Sequence, residues 1–350
     1  MTGWRRLVLV ALAATMTACS GAASGPAGGR RTATATSVPP ASGLRGDTPA
    51  ATTPYEATVD AAARRRLQVW IETDLAKFWL RGRPQFDAAV RGLAALANRP
   101  GVVGVKIADE LGYKDGFGDP RRVRAFLDDA AHSLRRAAPN RLILVDFVVP
   151  ELGCAPGLAA VAIMADPCRA AARARYPALR LEAVDGYLAS GDLDVIDLST
   201  GLLEPSDYEG WGIDREAAQR AAWQEVASRG WQRHVVVQAR KALAHPGPYP
   251  QYQAGSAQGD ARVFLDLPRE AGAAAVDVWT WRQTYKSEVV RLMDPGLEPN
   301  PLWDALRQRR ERGMVLFTHF TPSSVERGLD ADLDMLSTVF SGVFVAAGLG

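Results

Sequence analysis

Eight apolar runs of strand length recur along the chain, and most gaps between them hold a segment of helical periodicity. The runs cover residues 67–71, 102–108, 142–148, 193–198, 234–239, 274–280, 314–318 and 342–346. Helical periodicity is clearest over 86–93, 121–137, 215–228 and 301–312. Continuous apolar strands that alternate with helices indicate a parallel sheet covered on both faces.

The number and order of these units leave two fold classes. Eight strand–helix units between residues 61 and 350 predict an α/β fold, the (β/α)8 TIM barrel. The alternative is an open, doubly wound sheet, which typically carries a glycine-rich nucleotide-binding loop. No G-x-G-x-x-G or P-loop sequence follows any of the runs. The barrel is therefore the predicted fold.

The N-terminus has the composition of a targeting segment. The basic start WRR at 4–6 precedes a short apolar stretch over 7–14, which is too short to span a bilayer. The sequence MTAC that ends at Cys19 resembles a bacterial lipobox, in which the cysteine is acylated. The alternative is an ordinary secretory signal that contains a cysteine. Because small residues precede Cys19, we predict a lipoprotein that is exported and lipid-anchored to the outer face of the cell membrane.

A long segment after Cys19 is built almost entirely of Ala, Gly, Ser, Thr and Pro. Such a segment cannot bury enough apolar surface to offset the entropy lost on ordering. The predicted organisation is a signal peptide over 1–18, a tether over 19–60 and a barrel domain over 61–350.

The net charge and the cysteine content limit which partners, cofactors and cross-links the chain is expected to have. The net charge is only +2 with both signs interspersed, and no basic patch suggests nucleic acid. Export implies an oxidising compartment, so Cys154 and Cys168 are predicted to form a disulfide, with two free thiols as the alternative. The sequence has no H-x-H, H-E-x-x-H or cysteine cluster, so we expect neither a metal nor a cofactor.

Polar residues interrupt the apolar runs near their carboxyl ends. Alternate residues of a barrel strand face the interior, and at the carboxyl end they face the mouth of the active site. Counting by twos places these residues inside: Glu72, Lys106, Glu110, Asp146, Asp197, Gln238, Arg240 and Asp277. The same count puts His319 inside, Trp279 and Trp281 at the rim, and Asp109 on the opposite face from Glu110.

Two interpretations of the interior set are open. Buried charges are stable only when paired, so Lys106 and Glu72, or Arg240 and Asp277, could simply neutralise one another. The alternative is a site for a polar ligand, because carboxylates gathered beside aromatic side chains suit a polyol. For the set as a whole we favour the ligand site.

The stretches Ala108-Asp109-Glu110 and VDVWTW at 276–281 resemble the TIM-barrel glycoside hydrolases of the large retaining clan. The resemblance covers about residues 66–285 and implies that Glu110 is the general acid/base. It implies that Asp109 replaces an asparagine and that Trp279 is a sugar-stacking platform. It also places Gln238 where the family has a nucleophilic glutamate, and a neutral amide cannot attack an anomeric carbon.

The same resemblance leaves the strand order open. If Glu110 ends the family's fourth strand, the run 67–71 is the third, and the first two strands come from the C-terminal segment. The barrel would then be circularly permuted relative to the usual glycosidase order. The alternative is that 67–71 is simply the first strand. We favour permutation because the two motifs keep the family's relative spacing.

Cleavage of a glycosidic bond needs one acid to protonate the leaving oxygen and one carboxylate to attack or to activate water. With Gln238 unsuited, Asp197, Asp146, Asp277 and Glu72 remain as the second carboxylate. The predicted catalytic residues are Glu110, Asp197 and Asp146. The predicted substrate-binding residues are Asp109, Glu72, Gln238, Arg240, Asp277, Trp279, Trp281 and Tyr113.

Two functions follow from these residues. The first is a glycoside hydrolase-like lipoprotein that acts on an oligosaccharide or cell-envelope glycan. The second is a barrel that binds a saccharide without cleaving it, because Gln238 replaces the nucleophile. In both, the expected partners are a saccharide and, through Cys19, the membrane.

Overall fold

The structure, a computed structural model, describes residues 53–113, 116–239, 243–250 and 254–346. Eight parallel strands close into a barrel and follow one another around it in chain order, which confirms the (β/α)8 fold. The barrel strands are β1 (Gln68–Glu72), β2 (Val102–Lys106), β3 (Leu142–Val148), β4 (Val195–Ser199), β5 (Val235–Ala239), β7 (Ala275–Val278), β10 (Leu316–Phe320) and β11 (Gly342–Ala346). A closed ring has the same cyclic order whichever strand comes first, so the proposed permutation stays a prediction.

A small antiparallel sheet, which the sequence did not reveal, accompanies the barrel. Its strands are β6 (His245–Pro246), β8 (Arg282–Tyr285) and β9 (Glu288–Arg291), in the order β6-β9-β8. These strands are too short to give a readable apolar alternation.

Helices lie between the barrel strands in sequence. The α-helices are Pro54–Arg64, Leu75–Leu80, Arg83–Ala97, Pro120–Ala137, Pro150–Gly153, Ala162–Arg175, Leu181–Ala189, Pro205–Glu209, Arg215–Ser228, Ala254–Ala261, Leu267–Glu270, Pro301–Glu311 and Leu329–Ser337. Each of the four predicted helical segments falls on one of them. Within the part of the chain described, none of these helices has the length and apolar character needed to cross a bilayer.

The folded domain begins earlier than the sequence predicted. Thr53 caps the helix Pro54–Arg64 by accepting a hydrogen bond from the Glu56 amide, and the Glu56 side chain accepts one in return. Val59 is fully buried, so the boundary at residue 60 is wrong. An alanine-rich segment looks like a linker by composition, yet alanine is the strongest helix former. The predicted signal peptide, Cys19 and the tether before residue 53 lie outside the described residues.

An apolar layer fills the barrel interior below its mouth. Its members are Trp70, Leu144, Val236, Ala275, Phe317 and Phe344. Strand β2 places Gly104 beside Trp70, and a Cβ atom there would lie 2.3 Å from the Trp70 ring and 2.6 Å from the carbonyl oxygen of Leu142. The missing side chain therefore gives the indole its space.

Substituting Gly104→Ala is expected to lower the free energy of unfolding by about 1–3 kcal/mol, the usual range for an overpacked core. The carbonyl oxygen belongs to the neighbouring strand and cannot move aside, so the Trp70 ring must shift. Urea unfolding measures the effect. The control is Gly92→Ala on an exposed helical position with open space around it. Equal midpoints for the two variants would contradict the packing argument.

Candidate active site

A polar layer lies directly above the apolar one, at the carboxyl ends of the strands. Seven of the eight barrel strands each contribute one member: Glu72, Lys106, Asp146, Asp197, Gln238, Asp277 and His319. Strand pairing sets Glu72 beside Lys106, Asp146 beside Asp197, and Gln238 beside Asp277. Several members contact one another across strands that are not adjacent, so their side chains meet inside the barrel. The alternation of side chains along each strand therefore predicted these positions inside the barrel.

Lys106 is the cation at the centre of this polar layer and is fully buried. Its Nζ lies 3.0 Å from Glu72 Oε1, 3.8 Å from Asp146 Oδ2 and 3.7 Å from Asp197 Oδ2. Burial opposes the charged amine, but the carboxylates around it, Glu72 first, raise the pKa of Lys106 well above its usual range. The amine therefore stays protonated, with these three carboxyl groups of the layer around it.

His319 joins two carboxyl groups from opposite sides of its ring. Its Nδ1 lies 2.7 Å from Glu72 Oε2, and its Nε2 lies 2.6 Å from Asp277 Oδ2. Burial works against the imidazolium, but Asp277 and Glu72 outweigh it and raise the pKa of His319 to about 10. Its face stacks on Phe344 with centroids 5.2 Å apart. The sequence pointed to His319 only by position, since no motif surrounds it.

The carboxyl groups of the layer have divergent proton affinities. Burial opposes ionisation of Glu72, but His319 and Lys106 outweigh it and lower its pKa to about 2. Burial raises the pKa of Asp146 well above the usual range of a carboxyl group. Burial, followed by the charge of the neighbouring Asp277, does the same for the pKa of Asp197. One layer therefore holds an ionised carboxylate and two carboxyl groups that favour protonation.

Gln238 takes part in this arrangement through its amide. Its Nε2 donates a hydrogen bond of 2.9 Å to Asp146 Oδ2. The side chain is 4% exposed. Gln238 thus fixes one oxygen of Asp146 instead of presenting a nucleophile.

The segment after β2 corrects the predicted orientation of Asp109. The Ile107 amide donates a hydrogen bond to the carbonyl oxygen of Leu144 on β3. In a regular strand the Asp109 amide would donate to the next acceptor on β3, the carbonyl oxygen of Asp146, but that hydrogen bond comes from the Leu111 amide. Asp109 and Glu110 therefore loop out, and Glu110 adopts a positive φ of 51°. The Asp109 carboxylate consequently lies 3.4 Å from Lys106 Nζ, on the site side. Glu110 is partly buried on the same loop.

The two tryptophans predicted at the rim separate. Trp279 is partly buried and packs edge-on against Tyr285, with ring centroids 5.3 Å apart. Trp281 is 3% exposed, and its Nε1 donates a 2.9 Å hydrogen bond to the buried Asp332. The prediction that Trp281 stacks on a sugar is therefore wrong. Strand β7 ends at Val278, so the alternation of faces does not extend to this residue.

The remaining predicted residues lie around the mouth or beyond the described chain. Tyr113 stacks on Tyr176 with centroids 4.6 Å apart. Cys154 and Cys168 form a disulfide after β3, with Cα atoms 5.7 Å apart. Arg240 lies outside the described residues.

One group within the polar layer has the composition of a metal site. The ligand atoms of Asp197, Asp277 and His319 all lie within 4.8 Å of one another. Each comes from a different strand, so no short sequence motif could have revealed the group.

The fold and the polar layer define a (β/α)8 barrel with a charged mouth, and comparison with known proteins adds no family. No family model and no curated protein matches the chain. Xylanase 10B from Thermotoga petrophila, solved with xylobiose, is similar over 67% of this chain and 70% of its own, at 12% identity and a TM-score of 0.42. Xylanase 10B from Thermotoga maritima gives the same coverage and identity at a TM-score of 0.40.

A second kind of barrel is equally similar. The carboxyl transferase domain of Rhizobium etli pyruvate carboxylase, solved with pyruvate, matches 84% of this chain but only 42% of its own, at 11% identity and a TM-score of 0.42. Similarity at this level does not extend to the residues of the site. The function therefore rests on the residues of the polar layer.

Proposed function

We propose that the protein is a glycoside hydrolase-like lipoprotein that acts on an oligosaccharide or a cell-envelope glycan. The polar layer and the Asp109–Glu110 loop supply its acid–base groups. The observation that carries the proposal is that the carboxyl groups of one layer differ in proton affinity: the pKa of Glu72 is lowered to about 2, whereas burial raises the pKa values of Asp146 and Asp197 well above their usual range.

Glycoside hydrolysis uses two carboxyl groups in opposite protonation states. An acid must keep its proton until the leaving oxygen departs, and a carboxylate must carry negative charge against an oxocarbenium-like transition state. Pairs whose pKa values are pushed apart by their surroundings meet this requirement. The polar layer provides such a pair without a cofactor.

Lys106 limits the distance between Glu72 and the two aspartates, Asp146 and Asp197. Its Nζ lies 3.0 Å from Glu72 and within 3.8 Å of Asp146 and Asp197. The contacting oxygen of Glu72 therefore lies no more than about 7 Å from that of either aspartate, a limit that admits the retaining spacing and only the lower end of the inverting range. Glu110 would act from the loop above, as the acid/base that the resemblance implies. Trp279 would offer an aromatic face to a sugar ring.

A second function is favoured by Gln238. The family resemblance places a nucleophile there, and the amide is instead committed to Asp146 at 2.9 Å. A barrel with this substitution could bind a saccharide without cleaving it. Binding with no turnover is the result that separates the two functions.

The proposal is tested with the purified protein on a panel of aryl glycosides and cell-wall polysaccharides. Glu110→Gln, Glu72→Gln and Asp197→Asn are each expected to lower kcat/KM by at least about a hundredfold, because general acid–base groups contribute 10²–10⁴. The matched controls are the exposed carboxylates Glu311→Gln and Asp128→Asn, which should leave kcat/KM unchanged.

Two results would contradict the proposed hydrolase. If the wild-type protein binds a saccharide in calorimetry but turns over nothing on the panel, the binding function replaces the enzyme. If turnover occurs and survives all three substitutions, the polar layer is not the active site. Circular dichroism of each variant separates loss of activity from loss of fold.

We also propose that the chain is exported and anchored through an acylated Cys19. The proposal rests on the lipobox-like sequence alone. Metabolic labelling with radioactive palmitate should mark the wild-type protein and not Cys19→Ser, which should partition into the aqueous phase of Triton X-114. Equal partitioning of the two proteins into detergent would rule out this anchor.

A further inference from the structure

Asp197, Asp277 and His319 converge from strands β4, β7 and β10 with their ligand atoms within 4.8 Å of one another. The two aspartates are fully buried and the histidine is 5% exposed. Carboxylate oxygens and one imidazole nitrogen form a mixed ligand set of the kind that divalent transition metals accept.

The aspartates of this group have carboxylate oxygens that nothing in the described structure satisfies. Neither oxygen of Asp197 receives a hydrogen bond from a described residue, and the same holds for Asp277 Oδ1. Lys106 Nζ lies 3.7 Å from Asp197, beyond hydrogen-bond distance. Buried polar atoms are normally paired, and an unpaired one calls for an explanation such as an ion.

The orientation of His319 is that of a metal ligand. Metal-binding histidines usually donate the proton of the other ring nitrogen to a carboxylate, which fixes the tautomer. Here Nδ1 faces Glu72 at 2.7 Å, so Nε2 is turned toward Asp277. Glu72 therefore holds the ring, and an ion between the two aspartates would take the place of the proton that lies between Nε2 and Asp277 Oδ2.

We propose that Asp197, Asp277 and His319 Nε2 bind one divalent transition-metal ion, such as Zn²⁺ or Mn²⁺. Three protein ligands leave at least one coordination position for water or for an oxygen of a ligand, as in catalytic zinc sites. The layer can balance the added charge, because the carboxylates of Glu72, Asp197 and Asp277 offset the ion and Lys106 once the ligands have lost their protons. The competing explanation is a proton shared between the two aspartates. With Asp197 as a ligand, the acid of the proposed glycosidase would be Glu110 or Asp146, and the metal test itself needs no glycan.

The test uses the purified full chain after treatment with a chelator. Isothermal titration with ZnCl₂ or MnCl₂ and elemental analysis after gel filtration should give one ion per chain. Asp277→Asn and His319→Gln should weaken binding by at least a hundredfold, and Glu72→Gln by about 10- to 100-fold, the usual effect of losing a group that orients a ligand. Co²⁺ provides a spectroscopic probe, because its visible absorption should appear with the wild-type protein and be lost in His319→Gln.

Two controls keep the result decisive. Asp146→Asn alters the same layer without removing a ligand and should still bind one ion. Asp330→Asn removes an exposed carboxylate and should change nothing. Asp197→Asn serves where His319→Gln does not fold, as judged by circular dichroism. A folded wild-type protein that binds no ion at millimolar metal, or equal binding by the Asp277 and Asp146 variants, would overturn the proposal in favour of the shared proton.

Discussion

Lys106→Met is expected to lower the free energy of unfolding by about 3–5 kcal/mol, the range found when one partner of a buried ion pair is removed. Methionine fills nearly the same volume, so the effect is electrostatic rather than steric. Without the amine, Glu72 loses a partner at 3.0 Å, and Asp146 and Asp197 lose a lysine that lies 3.8 and 3.7 Å from them. Glu72 would then stay buried and ionised, with His319 at 2.7 Å as its cationic partner.

Chemical denaturation of the two proteins at pH 7 measures this loss. The matched control is Lys77→Met. The Lys77 side chain is 56% exposed and forms a surface ion pair with Asp74, so this substitution should cost under about 1 kcal/mol. Adding Glu72→Gln to Lys106→Met should recover part of the lost stability, since one uncompensated charge disappears. If Lys106→Met and Lys77→Met cost the same, the central role given to the buried amine is wrong.

Stability is expected to be greatest in mildly acidic solution, between the ordinary pKa values of glutamate and histidine, 4.5 and 6.5. The pKa of His319 is raised to about 10, so its contribution is complete below 6.5 and is lost as the pH rises toward 10. The pKa of Glu72 is lowered to about 2, so its contribution is complete above 4.5 and is lost as the pH falls toward 2.

The two buried aspartates, like His319, move the maximum of stability toward acidic pH. Since the pKa values of Asp146 and Asp197 are raised from 3.8, the fold resists their ionisation and loses stability as the pH rises. Urea unfolding between pH 3 and 9 with a chelator present should therefore show a maximum near pH 5 to 6. His319→Gln should flatten the alkaline side, whereas His132→Gln, at an exposed position, should not. A maximum above pH 7.5 in the wild-type protein would contradict this view of the layer.

Strand parity explains how much of the site could be predicted from the sequence. Within a strand, side chains alternate strictly, so Glu72, Asp146, Asp197 and Asp277 could be placed together by counting. The same count failed where the extended backbone ends. Asp109 turned toward Lys106 because its segment loops out beside β3, and Trp281 turned away because β7 had already ended.

Features that depend on contacts between residues distant in sequence were harder to predict from the sequence. His319 acquires its meaning only from Glu72 and Asp277, 247 and 42 residues away. The start of the domain was placed too late because composition does not show that the helix Pro54–Arg64 packs against β1 and β11. The closed barrel was predictable because eight repeating units leave few alternatives.

The helix Pro54–Arg64 has a mechanical consequence for a chain held from its N-terminal side. Arg99 pairs with both Glu56 and Asp60, and Arg65 pairs with Asp330 and Asp334 near the C-terminal end. A pulling force applied before residue 53 would reach this clasped helix before it reached β1. If the chain is held at Cys19 as proposed, we expect this helix to bear the tension before β1 and the polar layer do.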